Sequence, residues 1–422
     1  MKIKNAGKAV VCAVLEWQVK RLRRKHDFTV IAVVGSVGKT TTKLAIAHTL
    51  EPTRRVIYQT GNYNDRVTVP LVLFGNELPN LLNIIAWFNI FTANEQTIRR
   101  KFFYEFAVLE LGTDHPGEIQ KFAYLRPDIT VVTAIVAEHM EYFETLDAVA
   151  AEELTVCNFS KQVIVNADDT PPKYLTAKNV QTYGLHAGAD YRAQIVGKAG
   201  LQGNTADMHL SDNILLTTRV AMMGVQGVKI SLAAAAAAYL GGLSDIEIMR
   251  GLQEIRPFAG RMQVLAGING SVIIDDSYNA SPASVIAALD VLYDTAASQR
   301  VAVLGNMNEL GTYSAQAHEE VGGYCHPDKL DLVVTIGGDA GIYLAAKAKE
   351  NGCRVNSFDN PYAAGEYVKE QLKPGAAVLV EGSQNGVFAE EVIKPLLANP
   401  ADASKLVRQS KYWLGIKAKQ FS

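Results

Sequence analysis

The chain alternates between short apolar runs and longer stretches of helical or loop character. The runs at 29–34, 106–111, 128–134 and 161–166 are short and rich in β-branched residues. They read as strands buried on both faces, as in a parallel sheet. A second series follows at 272–276, 300–305, 331–336 and 376–381. This alternation predicts an α/β protein with two units, each a mostly parallel sheet covered by helices. Pro257-Phe258-Ala259-Gly260 interrupts the pattern and marks the joint. The expected organisation is an arm over 1–27, a central domain over 28–257, a second domain over 258–400 and a basic tail over 401–422. Residues 189–222 lack helical periodicity and carry Gly and Asn turns, so they predict a small β excursion. The run Ala233 to Ala238 predicts a closely packed helix.

Three stretches leave their role open. Residues 9–22 predict a helix with Val11, Leu15, Val19 and Leu22 on one face, followed by Lys20, Arg21, Arg23, Arg24 and Lys25. This run is too short to span a bilayer and shows no small-residue cleavage site. It either packs on the central domain or makes peripheral contact with an anionic membrane surface. Residues 80–91 are apolar and too short to cross a membrane, which leaves core or a substrate-facing lid. The tail, with Trp413, carries no functional reading.

Composition narrows the field. The 422 residues are 48% hydrophobic and 20% charged, enough to bury two or three domain cores. A net charge of −2 gives no global attraction to nucleic acid. Cys12, Cys157, Cys325 and Cys353 are scattered without a C-x-x-C pair, which fits reduced cysteines and a cytoplasmic location.

Candidate chemistry begins where the first strand ends. Gly35-Ser36-Val37-Gly38-Lys39-Thr40-Thr41 follows a buried strand and opens a helix. Glycines there permit backbone angles and close approach that a side chain forbids. Helix-start amides attract anions, Lys39 adds a point charge, and the Thr40 hydroxyl suits magnesium. The spacing is not the standard nucleotide loop, because two residues rather than four separate its glycines. The context of strand and helix nevertheless reads as a phosphate cradle.

Ligands of parallel sheets sit beyond the carboxyl ends of the strands. Glu110 closes one strand, His139 follows the next, and Asn166, Asp168 and Asp169 follow a third. A buried acid needs a partner, and a magnesium beside the phosphates would serve Glu110. His139 is either a structural residue or a ligand. Gly61-Asn62-Tyr63-Asn64-Asp65 reads as a turn. In the second unit Asp275-Asp276-Ser277-Tyr278-Asn279 again puts polar groups at a strand end. Arg261 stands just past the joint, in reach of a phosphate across an inter-domain crevice.

Taken together these segments resemble the Mur ligase family, and within it the type that adds D-alanyl-D-alanine to a muramyl tripeptide. Further matching pieces are Val108-Leu109-Glu110-Leu111-Gly112, His115-Pro116-Gly117-Glu118-Ile119, Arg126-Pro127-Asp128, Glu138-His139-Met140-Glu141-Tyr142-Phe143, and Gly305-Asn306-Met307-Asn308-Glu309-Leu310-Gly311. They keep the family's order across residues 28–395. The resemblance implies a P-loop-type central ATPase domain, a Rossmann-like C-terminal domain, and ATP with Mg2+ as cofactors. It implies amide-bond formation through an acyl phosphate, in peptidoglycan precursor synthesis. By the same resemblance Lys39, Glu110 and His139 are catalytic. Gly35, Ser36, Val37, Gly38, Lys39, Thr40, Thr41, Arg261 and Asn279 hold the nucleotide. Thr40, Glu110, His139 and Glu153 hold metal.

Four positions depart from the family's pattern. Only about 27 residues precede the first strand, where this type carries a domain that grips uridine diphosphate. Glu153 stands where family members carry a carbamylated lysine. Glu381-Gly382-Ser383-Gln384 replaces the family's Lys-Gly-Ser-Arg, which argues for a neutral or cationic acceptor. Gln226-Gly227-Val228-Lys229-Ile230 replaces its adenine-contact segment. Two alternatives follow: the same chemistry on another carboxylate, such as a polyglutamate-type peptide, or a nucleotide-binding scaffold that has lost ligation.

Overall fold

In a computed structural model, residues 2–61, 63–138 and 140–421 are described, and their strands form two sheets. The first contains β1 (Thr29–Val34), β2 (Val56–Tyr58), β3 (Phe106–Glu110), β4 (Ile129–Val132), β5 (Gln162–Asn166), β6 (Val180–Gly184), β7 (Tyr191–Lys198), β8 (Asn204–Ser211) and β9 (Ile214–Val220). Their order is β2-β3-β1-β4-β5-β6-β7-β8-β9. Ile31 of β1 lies level with Val108 of β3 and Ile129 of β4, both parallel. Helices that cover the sheets or shape the surfaces around them include α1 (Lys2–Lys25), α2 (Lys39–Leu50), α3 (Ile84–Arg99), α4 (Leu146–Glu153), α5 (Gly224–Leu240) and α6 (Lys411–Gln420).

The apolar run of β1 is continuous because both of its faces are covered. Ile31 and Val33 pack with Ala45, Ile46 and Leu50 of α2 and the alanines of α5. Val30, Ala32 and Val34 alternate to the other face and pack with Val19 and Leu22 of α1. The six alanines from Ala233 to Ala238 are fully buried, and their small size lets α5 lie close to α2 and the sheet.

Two expectations change, and one open choice is decided. Residues 189–222 are not an excursion. β6 pairs in parallel with β7, and the antiparallel pairs β7–β8 and β8–β9 continue the same sheet. The reason is alternation: Tyr191, Ala193, Ala206, Met208 and Leu216 join the α5 side of the core. The arm packs on the central sheet, with Leu15, Val19 and Leu22 fully buried, so its apolar face is not available to a bilayer. Residues 80–91 are core only in part, through Trp87, Ile90 and Phe91. Trp87 is buried, but Leu81, Leu82, Ile84, Ile85 and Phe88 are exposed, and none of the stretch lines the cleft at the strand ends.

The second sheet contains β10 (Gln263–Ala266), β11 (Val272–Asp276), β12 (Arg300–Gly305), β13 (Leu332–Ile336), β14 (Val355–Phe358) and β15 (Ala377–Glu381), in the order β10-β11-β15-β12-β13-β14. Its pairs are parallel except β10 with β11. The tail folds back onto this unit. Lys417 of α6 is fully buried, 2.8 Å from Glu390 and 2.6 Å from Glu391. All four cysteines are free thiols.

Candidate active site

The carboxyl ends of β1, β3 and β5 meet the ends of β11 and β15 across one cleft of about 480 Å³. Its floor is the loop that follows β1. Gly35 has φ +119°, and a Cβ there would lie 2.5 Å from Thr133 Oγ1 and 2.8 Å from Thr133 N, so only glycine fits. Gly38, at φ +84°, begins α2 with no side-chain cap. The amides of that first turn are therefore left for a ligand, and Val37 through Thr41 line the cleft. Ser36 is engaged elsewhere. Its hydroxyl donates to Val136 O at 3.0 Å and accepts from Val136 N at 3.1 Å, pinning the loop beyond β4.

Lys39 donates to the carbonyls of Gly35 at 2.6 Å and Ser36 at 3.0 Å, and lies 3.5 Å from Glu138. Burial pulls its pKa down, but Glu138, Glu153 and Glu110 outweigh that and hold it above the ordinary lysine value. It is a cation throughout the neutral range. Glu153, at the end of α4, accepts from Gly35 N at 2.8 Å. Burial pushes its carboxyl up to about 7, against the pull of Lys39 and the Gly35 amide.

Glu110 has a protein partner that sequence reasoning missed. Lys43 Nζ lies 3.2 Å from Glu110 Oε2 and 2.5 Å from Gly61 O, with its side chain fully buried. Burial lowers the Lys43 pKa, and Glu110 opposes that. The available signal was spacing, since Lys43 stands one helical turn beyond Lys39 on α2. Asn64 donates to Glu110 Oε1 at 3.1 Å, so the Gly61–Asp65 turn also serves the site. Gln59 holds the backbone of Glu110 through both its amide groups, at 2.7 and 3.0 Å.

Thr40 and Glu110 both line the cleft and present oxygen donors, the chemistry that magnesium prefers. His139 lies outside the described residues. Among the described residues no group of three or more His, Cys, Asp or Glu side chains is arranged to hold a metal. Glu153 is committed to the Gly35 amide through one oxygen.

The opposite wall comes from the second unit. Arg261 and Asn279 line the cleft, and the Arg261 guanidinium lies 4.2 Å from the Tyr278 ring centroid. Arg408, from the tail, donates to Tyr278 O at 2.9 Å and Ser277 O at 2.5 Å while forking onto Glu390 at 2.9 and 2.6 Å. Glu381 does not line the cleft. It is fully buried and level with Asp276 on the neighbouring strand. Burial raises both carboxyls, Glu381 well above the ordinary carboxylate range, and the charge of Asp276 adds to the rise at Glu381. Gln384 and Asn385 line the cleft instead. Gln226, Gly227, Lys229 and Ile230 line it from α5, with Lys229 2.9 Å from Asp169.

Residues 92–238 match the family model for the Mur ligase middle domain, and residues 260–384 match that for the Mur ligase glutamate ligase domain. The chain is 30% identical to the UDP-N-acetylmuramoyl-tripeptide–D-alanyl-D-alanine ligase of Bacillus subtilis, over 88% of this chain and 76% of that protein. It is 28% identical to the Escherichia coli enzyme of the same name, over 90% and 79%. Among solved structures it resembles MurF from Acinetobacter baumannii, with TM-score 0.74, 23% identity and coverage of 92% and 79%. It also resembles MurF from Thermotoga maritima in complex with ADP, with TM-score 0.72, 22% identity and coverage of 91% and 83%.

Proposed function

The chain belongs to the Mur ligase family, and on that premise we propose that it is an ATP-dependent ligase joining a carboxylate to an amine through an acyl phosphate, in peptidoglycan precursor synthesis. The observation that carries this reading is the pairing of two walls. A glycine-bounded helix start with Lys39 faces Arg261 and Asn279 across one cleft. Phosphoryl transfer asks for positioning and charge neutralisation more than for a protein nucleophile, and this cleft supplies both.

The residues present fit ATP and magnesium. The amides from Val37 to Thr41 and the Lys39 ammonium would hold the phosphates. Thr40, Glu110 and His139 would hold magnesium, with Glu153 behind the loop. Bound there, the metal would supply charge neutralisation at the phosphates. Lys39 places a fixed positive charge where the transferred group gains negative charge. Lys43 pairs with Glu110 and orients it, offsetting the cost of burying that carboxylate. Arg261 approaches the phosphates from the second wall, and Asn279 meets the nucleotide there. The two walls together exclude water, which would otherwise hydrolyse an acyl phosphate.

A neutral Gln384 and Asn385 on the acceptor side support an amine substrate without an anionic group there. The same observation favours a second reading, in which this chemistry acts on another carboxylate such as a polyglutamate-type peptide. The test is ADP release measured across muramyl peptides and amino-acid polymers, each with and without an amine, with products read by mass spectrometry. Release that requires both substrates and yields a condensed product supports ligation. Release with neither, or none at all, sinks it and leaves a nucleotide-binding scaffold.

A further inference from the structure

Among the described residues, the largest run of exposed apolar side chains lies outside the cleft. Leu81, Leu82, Ile84, Ile85 and Phe88, at the start of α3, are 50%, 68%, 81%, 75% and 68% exposed. No charged residue occurs from 78 to 94. Soluble surfaces rarely gather this much apolar area without a use. Beneath it, Trp87 packs with Cys12, Leu15, Val67 and Leu71, so the patch is anchored on a folded core.

α1 runs beside α3 and carries the complementary charge. Gln18 donates to Phe91 O at 2.8 Å, and Lys25 donates to Arg99 O at 2.8 Å, so the two helices run in the same direction. With its apolar face turned to the core, α1 shows Val10, Trp17, Lys20 and Arg24 to solvent. Arg21 joins the two helices, 4.4 Å from the Trp17 ring centroid and ion-paired with Glu95 of α3. Residues 7–25 and 78–101 together hold nine Lys and Arg against two acids, Glu16 and Glu95, although Lys8 and Arg23 pair with Asp65 and Asp128 outside these stretches. Both acids are paired, with Arg66 and Arg21. The whole chain carries −2, so this corner concentrates positive charge that the rest of the molecule lacks.

The geometry points to a membrane-docking surface formed by the start of α3 and the outward face of α1, which takes the headgroup layer of an anionic lipid bilayer. Exposed Ile, Leu, Phe and Trp enter the headgroup boundary while flanking Lys and Arg meet lipid phosphates. The contact is peripheral, because among the described residues no helix is long and apolar enough to cross a membrane. A nucleic acid would match the charge but would leave the apolar patch in water.

The test is co-sedimentation of the full chain with phosphatidylglycerol-containing vesicles and with phosphatidylcholine vesicles. The expected result is pelleting with the anionic vesicles only, reduced by high salt. K20E/R24E lowers that binding about tenfold or more, since each basic residue near the surface counts. I84S/I85S/F88S abolishes it, while circular dichroism and ATP turnover stay at wild-type levels. Quenching of tryptophan emission by brominated lipid is reduced in W17F, with Trp87 beneath the patch retaining part of it. Equal pelleting of wild type and both variants, or none with any vesicle, overturns the proposal. A dimer by light scattering that I84S/I85S/F88S dissociates overturns it too, by assigning the patch to a second copy of the chain.

Discussion

The backbone amide of Gly35 donates to the carboxylate of Glu153 across 2.8 Å, tying the phosphate loop to the end of α4. Its consequence is a pH signature. Burial raises the Glu153 carboxyl from 4.5 to about 7. A carboxyl whose folded value is raised favours the folded state at low pH. That contribution is complete below 4.5 and is lost as pH rises through about 7, because the folded state binds the extra proton between those values. The loss amounts to about 3 kcal/mol. Without nucleotide, Glu153→Gln should therefore flatten the fall in melting temperature across this window. A variant that tracks wild type at every pH would show that Glu153 titrates normally.

The same substitution tests a role toward metal. Glutamine still accepts from the Gly35 amide but carries no charge. If Glu153 supports magnesium, Glu153→Gln should raise the magnesium concentration needed for half-maximal turnover about tenfold, equivalent to ~1.4 kcal/mol. An unchanged magnesium dependence would leave Glu153 as a loop anchor alone.

Lys43 and Glu110 form a fully buried ion pair. Removing one partner strands the other charge, at a cost of about 3–5 kcal/mol. Lys43→Met should lose this much in urea unfolding, and Lys43→Met with Glu110→Gln should recover part of it. Additive losses in the double variant would mean that the two side chains are not energetically coupled.

Lys39 reaches the cleft and is held there by the loop carbonyls of Gly35 and Ser36 and by Glu138. Lys39→Ala should abolish ATP turnover while the unfolding free energy from urea titration falls by no more than about 1 kcal/mol. Residual turnover near the wild-type rate would remove Lys39 from phosphate handling.

Arg408 links the tail to the wall that carries Arg261. It holds the carbonyls of Ser277 and Tyr278, and Arg261 stacks on the Tyr278 ring. Because Lys417 still neutralises Glu390 at 2.8 Å, Arg408→Ala should cost only about 1–3 kcal/mol of stability. Its larger effect should be a rise in KM for ATP with a smaller change in kcat. A loss confined to kcat, with KM unmoved, would disconnect the tail from nucleotide binding.

Much of the fold was legible because the central strands of both sheets are buried on both faces. The apolar runs that became β1, β3, β11 and β15 are short and β-branched, which favours buried strands, and helices between parallel strands follow from the connection they require. The phosphate loop was legible for a local reason: its two glycines and Lys39 lie within a few residues of each other, and their positive φ angles are a property of that short segment.

What tertiary structure decided was pairing between distant segments. Lys43 and Glu110 are 67 positions apart, and nothing local in either says that they meet. The same holds for Arg408 and Tyr278, 130 positions apart, and for Glu381 beside Asp276 across a strand register. Sequence periodicity gave α1 an apolar face but not the choice between core and bilayer as its cover. Packing settled that by burying Leu15, Val19 and Leu22, and it left the start of α3 exposed instead. The physical reason is that patterning determines which side of an element shuns water, whereas only the assembled chain determines what lies against it.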